Sequence, residues 1–147
     1  MKVRPLSMVE IYGAALYRVD GDSVFVLRVG QFSDALKRLY LQENHQSAAF
    51  LTACNPMGVK TSDTENFQAQ RRLAAEVSSL KYSALAAIGL DSMPDSDWPG
   101  EPSLFVPGIL KQDAIQLGMR FRQLAILWCP ASAVPELLMI NDRFHPD

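Results

Sequence analysis

Histidine and cysteine are both scarce, with two of each in 147 residues. Cys54 and Cys129 sit inside apolar, strand-like runs and lack the spacing of metal ligands, so no metal site is expected. They read as buried, reduced thiols, with a disulfide as the alternative. His45 falls in a loop and His145 in the tail, neither beside an evident partner. Long apolar runs are missing as well. The longest, near "AAFLTAC" and "LAILWCP", are strand-sized, and no membrane span is expected. "MKVRPLSMVE" has bases but no apolar stretch behind them, so it does not read as a signal peptide, and a cytoplasmic location is expected. Neither sign of charge dominates. Fourteen bases against sixteen acids leave a net charge of −2, too weak a field to gather nucleic acid or anionic lipid. There is no glycine-rich phosphate loop, no GxSxG elbow, no repeat and no low-complexity stretch. The cofactor and the oligomeric state stay open.

What is present is an ordinary globular composition, 48% apolar and 20% charged. The length suits a single domain over residues 1–147, with residues 141–147 as a loose tail. An amphipathic segment over Ser7–Leu16 leads into two β-rich arms around the turn Asp20-Gly21-Asp22. "SDALKRLYLQEN" reads as a helix capped by Ser33. A strand over Ala48–Cys54 precedes a helix over 63–80, with Ser62 and Glu65 spaced as a capping box and Leu73, Val77 and Leu80 as its inward stripe. A strand over 82–89, a loop over 90–102, a strand over 103–107, a helix over 110–121 and a strand ending at Cys129 follow. A short helix or strand comes before the tail. Strands alternating with helices predict an α/β or α+β fold: one sheet covered by helices in a two-layer or three-layer sandwich. The reversals at the hairpin and at 90–102 predict a mixed sheet.

This order places the end of the 48–54 strand, the 90–102 loop and the start of the last strong strand at one edge of the sheet, where open α/β folds bind ligands. Asn55, Asn66, Trp98, Glu101, Ser103 and Gln123 all fall there. Each also has a plain structural role. Asn55 before Pro56 is a turn residue. Asn66 lies near the buried stripe of its helix, where an amide needs partners; it either pins the Asn55-Pro56 loop or touches a ligand. Glu101 is either an exposed loop acid or a carboxylate whose pKa is raised beside Trp98 for proton transfer. Ser103 opens a strand and can satisfy backbone groups. Gln123 shares a face with Ala125, Leu127 and Cys129 and needs a backbone partner if buried. Asp91, Asp95, Asp97 and Glu101 make an acidic loop without the ligand order of a calcium site. Cys54 and Ser103 lack an adjacent base for nucleophilic work. Arg71 and Arg72 lie off the buried stripe and read as solvated.

The segments "TACNP" at 52–56, Asn66, "WPGEPS" at 98–103 and "FRQLA" at 121–125 resemble the pattern of an uncharacterised bacterial family, domain-of-unknown-function family 3293. In this chain Pro99 and Gly100 stand between the tryptophan and the glutamate. The resemblance implies a small bacterial protein and brings no established activity. Two functions suit the residues: binding of a small polar molecule, nucleotide-like or sugar-like, read by amides and Glu101 against Trp98; or a hydrolase or transferase using Glu101 as general acid or base, with Asn55, Asn66 and Gln123 orienting the substrate. A third reading makes the edge an interface for a protein partner.

Overall fold

The Ser7 hydroxyl accepts a hydrogen bond from the Glu10 backbone while the Glu10 carboxylate reaches back to the Ser7 N–H, a reciprocal cap that starts α1 (Met8–Ala14). In the computed structural model, which describes residues 7–93 and 98–141, the chain continues as β1 (Leu16–Asp20), β2 (Val24–Leu27), α2 (Asp34–Glu43) and β3 (Ala48–Leu51). A single 3₁₀ turn over Pro56–Gly58 leads to α3 (Asp63–Ser79) and β4 (Leu85–Leu90). Then come β5 (Glu101–Pro107), α4 (Lys111–Arg120), β6 (Ala125–Cys129) and β7 (Glu136–Met139). Asp95, Asp97, His145 and all of the expected tail except Asn141 lie outside the described residues.

The seven strands form one sheet in the order β2-β1-β4-β5-β3-β6-β7. Helices cover it on both faces, the three-layer form of an α+β sandwich. Every pairing is antiparallel, where a mixed sheet was expected. The strand directions are those the sequence suggests. However, β3 and β4, which point the same way, are separated by β5, so no parallel pair forms. On one face α2 buries Leu36 and Tyr40 against Ala48, Phe105, Leu127 and Cys129. The Tyr40 hydroxyl donates to the Cys129 carbonyl at 2.7 Å, at the end of β6 away from Gln123. On the other face α3 and α4 bury Leu73, Val77, Ala114 and Leu117 against Leu51, Val106 and Ile126.

Two local expectations for α3 change. Leu80 is the C-cap residue and 43% exposed, so the inward stripe is Ala69, Leu73 and Val77. The Ser62 hydroxyl caps the Glu65 N–H at 3.1 Å, one half of the box expected there; the complete box is at Ser7. Both cysteines are buried and free. Among the described residues no helix is long and apolar enough to cross a membrane, and no group of three His, Cys, Asp or Glu side chains is placed to hold a metal.

Candidate functional site

Side chains alternate across a strand, so the face that α2 covers can be read in rows from the strand registers. The lower row is Leu85, Phe105, Phe50 and Leu127, large residues packed together. One step up, Ala87 pairs with Ser103, and Thr52, just past the end of β3, and Ala125, the first residue of β6, are small as well. Beyond them Gly89 pairs with Glu101, and Cys54 and Gln123, outside the paired strands, line the same cavity. The lower row carries α2; beyond it the small residues Thr52, Gly89, Ser103 and Ala125 leave a hollow. This cavity has a volume of about 590 Å³ and is walled by the C-terminal part of α1, by Tyr17 and by the β4–β5 connection with Trp98.

Hydrogen bonds from side chains build the rim. The β3 ladder stops at Leu51, three residues earlier than the apolar run predicts, because the chain's amides find other acceptors. The Ala53 N–H donates to Gln70 Oε1 at 2.9 Å and the Asn55 N–H to Asn66 Oδ1 at 2.8 Å. Asn66 and Gln70 are one turn apart on α3, so a single helical face receives the strand's end. Asn55 takes a left-handed conformation at φ 49°, which asparagine tolerates better than most residues. Its Oδ1 accepts from the Thr61 N–H at 3.1 Å and from Asn66 Nδ2 at 2.9 Å. Its Nδ2 donates to Glu101 Oε2 at 3.1 Å. The loop that Asn55 shapes and Asn66 holds thereby fixes one oxygen of Glu101.

Glu101 is the first residue of β5 and is partly buried, not an exposed loop acid. Burial pushes its pKa above the ordinary carboxylate value, while hydrogen bonds from Asn55 and the Thr52 hydroxyl pull it back. Thr52 Oγ1 also lies 2.8 Å from the Pro102 carbonyl oxygen, which competes for its single proton. Burial likewise raises Tyr12, Tyr17 and Cys54, and the nearby Glu101 carboxylate adds to each. Cys54 is therefore a neutral thiol, and the Ser103 hydroxyl donates to the Glu101 main-chain carbonyl at 2.9 Å, with no base set against it. Gly100 permits the turn into β5: its φ is +95° and a Cβ there would fall 2.7 Å from Ile88.

Of the six residues expected at this edge, Asn55, Trp98, Glu101, Ser103 and Gln123 line the cavity. Asn66 does not; it sits behind the wall as the amide that pins the loop. Gln123 has the backbone partners expected of a buried amide, Nε2 donating to Cys54 O at 3.2 Å and Phe121 O at 3.1 Å, and borders the cavity too. Trp98 is 46% exposed at the mouth. Sequence reasoning missed Gly89, Tyr12 and Tyr17, and passed over Thr52 and Gln70. Thr52 and Gly89 were findable, since each stands two residues from another member of the same face. Tyr12 and Tyr17 were not, because the position of α1 has no local signal.

Searches among curated proteins and among solved structures return no match to the chain. The family model described as "Protein of unknown function (DUF3293)" matches residues 51–126, which is more than half of the sequence and runs from the end of β3 to the start of β6. The chain belongs to that family.

Proposed function

We propose that this protein binds a small polar molecule, nucleotide-like or sugar-like, in the hollow above α2, as a cytoplasmic bacterial protein. The observation that carries this reading is the small-residue floor: Thr52, Gly89, Ser103 and Ala125 line the hollow beside Phe50 and Leu127, and amides and a carboxylate converge on it. A core position has no use for such an arrangement, whereas an orienting pocket needs apolar walls and a few fixed polar groups. Glu101 and Gln123 would read the polar end of the ligand, and Trp98 with Tyr12 would flank its body.

Gly89→Leu tests this. The glycine lies in extended backbone, and an added Cβ would meet only Glu101 O at 3.9 Å, so the larger side chain fills the hollow without displacing the strand. A small molecule extracted from the native protein and identified by mass spectrometry is expected to be missing from Gly89→Leu. Equal amounts in both proteins overturn the reading. The raised pKa of Glu101 favours a second reading, a hydrolase or transferase with Glu101 as general acid or base. Once a ligand is in hand, Glu101→Gln with binding kept and turnover lost supports the enzyme. Absence of turnover in the native protein removes it.

A further inference from the structure

We infer that the group this cavity recognises is a cationic nitrogen donor, an amine or amidine on a flat apolar body, and not a phosphate ester or a carboxylate. This rests on the small-ligand reading and narrows it. The first support is where the polar hydrogens go. The Tyr17 hydroxyl donates to Tyr12 O at 2.6 Å, the Thr52 hydroxyl lies 2.8 Å from Pro102 O, and the Ser103 hydroxyl donates to Glu101 O at 2.9 Å. Both protons of Gln123 Nε2 are held by main-chain carbonyls, and the Cys54 thiol leans on Pro102 O at 3.6 Å. These groups turn their hydrogens into the protein and their lone pairs toward the space.

What remains open is acceptor capacity. Gln123 is 6% exposed and lines the cavity, and among the described residues its Oε1 has no partner. Glu101 Oε2 accepts from Asn55, and the single Thr52 proton is shared between this carboxylate and Pro102 O, so the carboxylate keeps lone pairs to spare. Buried acceptors in an apolar surround call for a ligand that brings hydrogens.

The second support is charge. The described residues lining the cavity include Asp91 and Glu101 and no lysine, arginine or histidine. Ala14 and Ala15 bring the carbonyl end of α1 to the wall, which has the same sign. An anion entering this space would be desolvated next to Glu101, with no base among the described lining residues to compensate it. A cation would meet Glu101 in a low-dielectric setting, and Tyr12, Tyr17, Phe50 and Trp98 offer aromatic surface for its body. Burial already raises the Glu101 pKa, and a bound cation would return it toward the ordinary range.

Three probes of one shape and different charge decide the matter: benzamidine, benzamide and benzoate, titrated into ¹⁵N-labelled protein at neutral pH. Benzamidine is expected to shift the backbone amides of Gly89, Ser103 and Gln123 and to bind roughly tenfold more tightly than benzamide, the margin of a charge-assisted hydrogen bond over a neutral one. Benzoate is expected to leave those amides unmoved. In Glu101→Gln the advantage of benzamidine should vanish. If that variant does not fold, lowering the pH on the native protein reads the same loss. Tyr12, Tyr17 and Cys54, which face Glu101 from α1, β1 and the end of β3, stay neutral over that range, and Asp91 on the loop is the other acid present. Benzoate or benzamide binding as well as benzamidine overturns the inference while keeping the small-ligand reading. If none of the three moves the lining amides, both fall together.

Discussion

Asn55 does two things that no other residue type does as well: it occupies a left-handed backbone position directly before a proline, and it uses both ends of its amide. Alanine at this position would suffer the left-handed penalty of a Cβ and lose three hydrogen bonds; glycine would lose only the bonds. Asn55→Ala is therefore expected to lose about 2–3 kcal/mol of stability, and Asn55→Gly about 1 kcal/mol less than that. Urea denaturation of the two variants beside the native protein measures both numbers. Equal losses would mean that the backbone conformation contributes nothing. Gln123 makes a related point at the same scale. A buried amide with satisfied donors is ordinary, and what makes it part of a site is its place in the cavity lining with an Oε1 that has no partner among the described residues.

At the scale of elements, the end of β3 shows how a helix can take over from a sheet. Beyond Leu51 the N–H groups of Ala53 and Asn55 leave the ladder and turn to Gln70 and Asn66, which α3 presents one turn apart. This is why a seven-residue apolar run yields a four-residue strand, and why the predicted and observed ends of β3 differ while its existence does not. The periods of two and 3.6 residues are local and were legible; so was the convergence of Asn55, Glu101 and Gln123, because strand directions follow from connection lengths. Legibility stopped at pairing order. The insertion of β5 between β3 and β4, which makes the sheet antiparallel throughout, depends on contacts distant in sequence. The placement of α1 was equally hidden. With seven residues that helix is too short to hold itself, and the Tyr17 hydroxyl ties its end through Tyr12 O. Tyr17→Phe is expected to speed amide hydrogen exchange across residues 8–14 while shifting global stability by only about 1 kcal/mol. Unchanged exchange in that segment would show that packing alone seats the helix.

For the whole molecule, the hollow has a cost that can be read as a dependence on pH. The carboxyl of Glu101 has an ordinary pKa of 4.5 and a raised one in the folded protein. The folded state therefore holds its proton more tightly than the unfolded chain, and stability contributed by this group falls as pH rises through the interval between the two values. Below pH 4.5 both states are protonated and nothing is lost; above the folded value the full penalty of a buried carboxylate remains at neutral pH. Glutamine at this position still accepts from Asn55 Nδ2 and carries no charge to desolvate. Glu101→Gln is thus expected to be more stable than the native protein at neutral pH, with the difference shrinking toward zero on acidification through that interval. The other carboxylates are common to both proteins, so they cancel when the two denaturation midpoints are subtracted at each pH. A gain that persists unchanged below pH 4.5 would trace to packing instead of ionisation. A loss at neutral pH would mean that the ionised form is held by partners strong enough to outweigh its burial, and that the rim is built around a permanent negative charge.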